Sequence, residues 1–339
     1  MKRSNHIAAA LAMVAGISVT CLGHAQNLKL VKELPLPGYT GDFDHIAIDR
    51  DRGQILVAAE DHATVEVYDL KNLNHTKTVT GFGAPHAFLI RPGVKSVIIT
   101  DSGKQMSALR NGDTLAVEKK IVLTEGADSA KYDKISNVFY IVTGGKDVDM
   151  KTANLDAVNP DTGAKIGGVT FPDNHVEGFD IDPTSNKLYI NLTQTNKLAV
   201  VDRKSMKVLA TWPVPVAKQN AMVALDPTQN RLYVVCRDPG KVVVLDATDG
   251  HLIGSETAPL RADEVMYDAA AHRLYVPGGE GWMGIYDTSD PNHLKLTQKI
   301  PTAPGAKTGL LLPDMHRIFL AASPGESKAL AKILVYDVR

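Results

Sequence analysis

Short hydrophobic runs separated by brief polar segments recur along most of the chain. Residues 187–214 show this well, since LYI, LAVVD and KVLATWPV are apolar runs with polar breaks between them, and residues 231–253 repeat the same rhythm. Runs of this length, rich in Val, Ile, Tyr and Thr and bounded by Asp, Asn, Ser, Gly and Pro, are typical of strands joined by tight turns. The pattern therefore predicts an all-β protein built from a repeated unit.

The repeat can be read directly. EGFDIDPTSNKLYI at 177–190 aligns without a gap with AMVALDPTQNRLYV at 221–234 and DEVMYDAAAHRLYV at 263–276. Four weaker copies bring the total to seven: DHIAIDRDRGQILV (44–57), HAFLIRPGVKSVII (86–99), DSAKYDKISNVFYI (128–141) and KTGLLLPDMHRIFL (307–320). Equivalent residues are spaced by 42, 42, 49, 44, 42 and 44 positions: Asp49, Arg91, Asp133, Asp182, Asp226, Asp268 and Leu312. A period in the forties made of short strands predicts a seven-bladed β-propeller of four-stranded antiparallel blades.

The two ends of the repeat array predict how the ring closes. The chain stops at Arg339, just after the third strand of the seventh blade, whereas LKLVKELPL at 28–36 resembles the fourth strands of other blades. We expect this N-terminal strand to complete the last blade, which removes the exposed sheet edges that favour aggregation. Arg91 and Leu312 stand where other copies have aspartate, so these two turns are less clearly specified than their strands.

The first residues have the pattern of a secretory signal. MKRSNH is basic, IAAALAMVAGISVTCLG is apolar, and small residues precede a cleavage position after Ala25. A membrane anchor, a buried helix and lipidation at Cys21 are the alternatives. We expect a signal peptide at 1–25, a single propeller domain at 26–339, and a periplasmic or secreted monomer without membrane insertion.

Net charge limits the kinds of partner the protein can bind, and the cysteine content bears on its core. Without Lys2 and Arg3 the 37 basic residues fall to 35 against 38 acidic ones, a net charge of −3. Because phosphate binding needs a basic surface, a nucleic-acid partner is not expected. Cys236 is the one cysteine left after cleavage, and its apolar strand places it in the core rather than at a reactive site.

The first residue of each repeat predicts a site. The seven first residues are Asp44, His86, Asp128, Glu177, Ala221, Asp263 and Lys307. All except Ala221 are ionisable, whereas the rest of each strand is apolar. Side chains at equivalent positions point alike, so we expect them to converge at the mouth of the central channel. Asp44, Asp128, Glu177 and Asp263 are candidate ligands for one divalent cation, Ca²⁺ or Mg²⁺. The alternatives are an acid of raised pKa acting as a general base, or a channel of solvated polar groups.

Neighbouring residues add candidates on the same face. His175 and Trp282 are candidate ligand-binding residues, Trp282 through stacking, although it could equally pack over its own blade. Loop residues such as Asp61, Asp147 and Arg237 also belong to this face. His45, one position past Asp44, is expected to point between blades. No nucleophile elbow, zinc-protease motif, haem-attachment motif or glycine-rich phosphate loop occurs in the sequence.

The phrases NKLYINLTQTNKLAVVD and NRLYVVCRDPGKVVVLD resemble the YVTN-type β-propeller repeat. The resemblance covers nearly all of 28–339 and implies an exported bacterial propeller without naming a function. We expect a non-catalytic binding scaffold, since no catalytic motif is present, and its ligand is a protein or a small molecule at the loop face or channel mouth. Lactone hydrolases are more distant relatives, so a metal-dependent hydrolase or lyase acting on a lactone or cyclic ester is the alternative. A subunit of a redox complex is a third interpretation, weakened by the missing cofactor-attachment motif.

Overall fold

Seven antiparallel four-stranded sheets make up the protein, and each sheet is one blade of a propeller. The structure is a computed structural model that describes residues 28–103, 105–324 and 329–339. The predicted signal peptide at 1–25 lies outside the described residues. The predicted fold class is confirmed, since both the blade number and the four-stranded blades agree with the repeat.

Strand bounds follow the repeat. The first blade contains β2 (Ile46–Asp49), β3 (Gln54–Ala59), β4 (Thr64–Asp69) and β5 (His75–Val79), and the second β6 (Pro85–Leu89), β7 (Ser96–Asp101), β8 (Ala108–Asn111) and β9 (Val117–Lys120). The third contains β10 (Ala130–Asp133), β11 (Val138–Gly144), β12 (Ala153–Val158) and β13 (Lys165–Phe171), and the fourth β14 (Val176–Ile181), β15 (Lys187–Leu192), β16 (Lys197–Asp202) and β17 (Lys207–Pro213). The fifth contains β18 (Lys218–Asp226), β19 (Arg231–Asp238), β20 (Gly240–Asp246) and β21 (Leu252–Thr257), and the sixth β22 (Met266–Asp268), β23 (Arg273–Gly278), β24 (Trp282–Asp287) and β25 (Lys295–Pro301). The seventh contains β26 (Ala306–Leu312), β27 (Arg317–Ala322), β28 (Ala331–Val338) and β1 (Leu28–Leu36).

The seventh blade joins the two ends of the described chain. β1 pairs antiparallel with β28 from Leu28 opposite Val338 to Leu36 opposite Ala331. Leu34 and Leu36 are buried against the first blade and Leu28 against the sixth, whereas Leu30 is 43% exposed. Buried Leu34 and Leu36 alternate with exposed Pro35, and this fixes the register of the end of the strand, because a shift by one residue would turn both leucines to the opposite face. The predicted closure is therefore confirmed.

Turn aspartates explain why the repeat is visible in the sequence. Asp182 Oδ1 accepts a hydrogen bond from the Thr184 backbone N–H at 2.8 Å, and Asp226 Oδ1 accepts one from Thr228 at 2.9 Å. Such bonds two residues ahead are Asx turns, which hold the chain in the tight reversal between the first and second strands. The repeated aspartate is thus a turn residue in these blades.

The two copies that lack this aspartate turn by other means. After β26, Pro313–Met315 form a short 3₁₀ helix in place of the Asx turn. Arg91, after β6, instead pairs with Asp161 of the third blade at 2.6 Å. Both strands form regardless, because strand formation depends on apolar packing and not on the turn residue.

The hydrophobic core lies between neighbouring blades. Tyr189 and Tyr233 are almost fully buried in the second strands, and the Tyr189 hydroxyl donates a hydrogen bond to the Ala247 carbonyl of the next blade at 2.9 Å. Cys236 is fully buried in the same layer, as its sequence context predicted. Within the described ranges we find no helix with the length and apolarity needed to cross a membrane.

Candidate ligand site at the channel mouth

A cavity of about 400 Å³ opens where the first strands of the blades begin. The six ionisable residues predicted from the repeat all line it: Asp44, His86, Asp128, Glu177, Asp263 and Lys307. Its wall also includes Glu60 and Lys146, from loops that join second to third strands, and Arg237, near the end of β19. The repeat spacing therefore located a shared cavity, which we call the mouth cavity.

One sector of the mouth cavity is an acidic group around His86. The imidazole is buried, and its Nδ1 is hydrogen-bonded to Asp44 Oδ2 and lies 3.5 Å from Asp128 Oδ1. On the other side of the ring, Nε2 lies 3.8 Å from Glu60 Oε1. Three carboxylates from different parts of the chain thus surround one imidazole.

The acidic sector perturbs the pKa of each member. Burial disfavours the imidazolium, but Asp128, Asp44 and Glu60 outweigh burial and raise the pKa of His86 to about 10. Burial also opposes the charged form of Asp44, yet His45 and His86 hold its pKa well below the usual range. Burial raises the pKa of Glu60 to about 7 and that of Asp128 to about 6, against the opposing effect of His86. Asp44 and His86 therefore form an ion pair. The pKa values of Glu60 and Asp128 are raised because both carboxyls are shielded from solvent and lie close to other carboxylates.

The opposite sector is neutralised by cations. Arg237 Nη1 lies 3.1 Å from Glu177 Oε1, while its Nη2 is hydrogen-bonded to Asp263. Lys307 Nζ lies 3.1 Å from Asp263 Oδ2 and 2.9 Å from Asp42 Oδ2. Burial opposes the charge on Glu177, but its bond to His175 and the charge of Arg237 lower its pKa to about 2. This sector is a closed ion-pair network.

The four carboxylates predicted as metal ligands are not brought together as one set. Glu177 and Asp263 are held by Arg237, whose guanidinium repels a cation, while Asp44 and Asp128 lie in the acidic sector. The structure instead places ligand atoms of Asp44, Glu60 and His86 within 4.8 Å of one another. An imidazole in the set suits a borderline cation such as Zn²⁺ better than Ca²⁺ or Mg²⁺.

The other two predicted ligand-binding residues differ in position. His175 lines the mouth cavity, and its Nε2 lies 2.6 Å from Glu177 Oε1. Trp282 is not among the residues that line the cavity. Its Nε1 is hydrogen-bonded to Glu280, and Lys299 Nζ lies 4.5 Å from the centroid of its ring. Trp282 thus packs over its own blade.

Sequence reasoning missed two residues of the site. Glu60 lies in a 3₁₀ helix, Glu60–His62, between β3 and β4, and this helix carries it to His86. His45 was expected to point between blades, which is wrong, because it lines the cavity and lies 3.7 Å from Asp44. β2 begins at Ile46, so strand alternation does not apply at His45. The ionisable character of both residues was the available signal.

Comparisons with known proteins show the fold alone. No protein-family model and no curated protein matches the chain. A chain of Kuenenia stuttgartiensis hydrazine synthase superposes with a TM-score of 0.70 at 14% identity, over 84% of this chain and 93% of that chain. A chain in a crystal structure of the mitotic checkpoint complex superposes with a TM-score of 0.72 at 13% identity, over 98% and 99% of the two chains.

Proposed function

We propose that this protein is an exported β-propeller of the YVTN type that binds a small, positively charged ligand at the mouth cavity. A propeller fold is consistent with a binding scaffold, because function in such folds is carried by loops set on a rigid ring. A cavity of about 400 Å³ suits a small molecule better than a protein surface. The protein is proposed to work in the periplasm or outside the cell as a monomer.

The acidic sector carries the proposal. Asp44, Glu60 and Asp128 share the imidazole of His86, so their charges exceed that of their common partner. His45 adds a second imidazole near Asp44, but it also faces Glu264 at 3.9 Å. The Asp128 side chain is 40% exposed to the cavity, so a ligand can reach its carboxylate. A cation bound there would balance the excess negative charge.

Calorimetric titration with n-butylammonium, and with butyrate as the anion of similar size, tests this function. We expect n-butylammonium to bind and butyrate not to bind. Glu60→Gln and Asp128→Asn should each weaken n-butylammonium binding about tenfold, the loss of one charge-assisted hydrogen bond. Asp249→Asn is the matched control, since Asp249 is an exposed carboxylate beside His251 on the surface. Equal binding of both probes, or an equal effect of Asp249→Asn, would contradict the proposal.

A metal-dependent hydrolase is the second candidate, favoured by the Asp44, Glu60 and His86 group. These three residues would hold a borderline cation, which when bound would polarise a carbonyl oxygen. Asp128, with its pKa raised to about 6 by burial, is placed to act as a general base beside them. Zinc analysis after dialysis tests the metal site that this candidate requires, because one tightly held ion that is lost in Glu60→Gln is expected only if Asp44, Glu60 and His86 bind a metal, and absence of the ion would rule the candidate out.

A further inference from the structure

A second cavity of about 190 Å³ lies against the mouth cavity. Its walls come from the first strand of each blade or from residues just before that strand, so it occupies the centre of the ring. We call it the channel cavity. His45, Ser129 and Met222 line both cavities, so the two spaces meet at these residues.

The channel cavity is more apolar than the mouth. Larger hydrophobic residues in its lining outnumber the larger polar residues His45, Lys131 and Glu264, and they include Ile46, Phe88, Phe179, Val223, Val265 and Leu310. Small residues between them, such as Ala47, Ala130 and Gly178, leave the space open. An apolar cavity of about 150 Å³ accommodates benzene, so a space of this size holds an aromatic ring or a short alkyl chain.

Charged groups in the channel cavity are paired within the protein. Lys131 Nζ lies 2.9 Å from Asp180 Oδ1, and Glu264 faces His45 at 3.9 Å. The Asp180 carboxylate also accepts a hydrogen bond from the Leu225 backbone N–H at 2.8 Å. Because these charged groups interact with partners in the protein, a ligand in the channel cavity would mainly contact its hydrophobic residues.

We infer that the ligand is an amphiphile, an organic cation with a short apolar tail. The charged head lies in the acidic sector of the mouth cavity, and the tail passes Ser129 and Met222 into the channel cavity. This inference rests on the proposed function, since it assumes that the mouth binds a cation. It adds the chemical class of the ligand, which the acidic sector alone does not specify.

A series of primary alkylammonium ions from methyl to hexyl tests the inference by calorimetry. Each methylene that enters the channel cavity should tighten binding about fourfold until the cavity is filled. Binding that is the same for every chain length would overturn the inference while leaving cation binding at the mouth intact. Binding of no member of the series would overturn both.

Two variants locate the tail. Ala47→Leu and Ala130→Leu fill the channel cavity from different blades, and both alanines are half-buried at its wall. We expect each to remove the dependence on chain length while methylammonium binding stays unchanged. Ala271→Leu, an exposed alanine in the turn between β22 and β23, is the matched control and should bind like wild type. Thermal melts confirm folding, and retention of the chain-length dependence in both folded channel variants would overturn the inference.

Discussion

His86 Nδ1 and Asp44 Oδ2 are hydrogen-bonded across the boundary between the first two blades, from repeat positions 42 residues apart. With Asp128 and Glu60 nearby, the imidazole stays protonated up to a pH of about 10. The protonated His86 ring therefore stabilises the folded state. This contribution to the free energy of unfolding is fully present below about pH 6.5 and is lost as pH rises through about 10.

NMR titration of the His86 ring checks this prediction. Asp128→Asn removes a neighbouring negative charge that favours the protonated ring, so the His86 pKa should fall by about 1 to 3 pH units. A wild-type His86 that loses its proton below pH 7 would show that the acidic sector is wrongly described.

Arg237→Met should destabilise the protein because it removes the cation that Glu177 and Asp263 share, leaving only His175 beside Glu177 and Lys307 beside Asp263. The Arg237 side chain is 21% exposed, so we expect a loss of about 2 kcal/mol, below the range for a fully buried ion pair. Urea unfolding at pH 7 measures the loss. Glu177→Gln in the same background should recover part of it, and failure to do so would argue against charge repulsion as the cause.

The destabilisation caused by Arg237→Met should depend on pH. The pKa of Glu177 is lowered to about 2, so its ion pair stabilises the fold above pH 4.5 and loses this effect as pH falls towards 2. The stability difference between wild type and Arg237→Met should therefore shrink over that interval. A difference that stays constant from pH 5 to pH 2 would contradict the role of Glu177.

Two leucines of β1 allow a matched test of ring closure. Leu34 is 4% exposed and Leu30 is 43% exposed in the same strand. Leu34→Ala should cost about 2–5 kcal/mol because it leaves a cavity under the closing strand. Leu30→Ala should cost less than about 1 kcal/mol. Similar losses in thermal or urea unfolding would mean that β1 does not pack as described.

Cys236 should resist thiol reagents in the folded protein. Burial raises the pKa of its thiol to about 12, so almost no thiolate is present at neutral pH. A colorimetric disulfide reagent should give no signal in native buffer and one thiol per chain in strong denaturant. Complete reaction within minutes in native buffer would contradict the buried position.

Local chemistry decided what the sequence could predict. The Asx turns at residues such as Asp182 and Asp226 need only neighbouring residues, so they appear as a regular pattern and reveal the blades. The convergence of the first residues of the repeats follows from the same regularity. Pairing between distant blades has no such signature: Arg237 reaches Glu177 across 60 positions, and nothing local identifies its partner.

Glu60 and His45 were harder for a different reason. Each lies outside a strand, Glu60 in a 3₁₀ helix and His45 just before β2, where the two-residue alternation of a strand does not determine side-chain direction. Trp282 lies in β24, and its side chain contacts Glu280 and Lys299 of its own blade, which the sequence had left as one of two alternatives.

Closure of the ring depends on pairing between β1 and β28, from Leu28 opposite Val338 onwards, and this pairing affects how fast the protein folds. The hairpins within each blade form from neighbours in the chain, but this final contact requires two segments that are about as far apart as the described polypeptide allows. Contacts of such long sequence separation slow folding, because the entropy of the intervening chain is lost before the contact is made. Until β1 pairs with β28, the backbone N–H and C=O groups along one edge of β28 have no partner. During this interval a newly synthesised molecule is most prone to pair with a second copy of the protein.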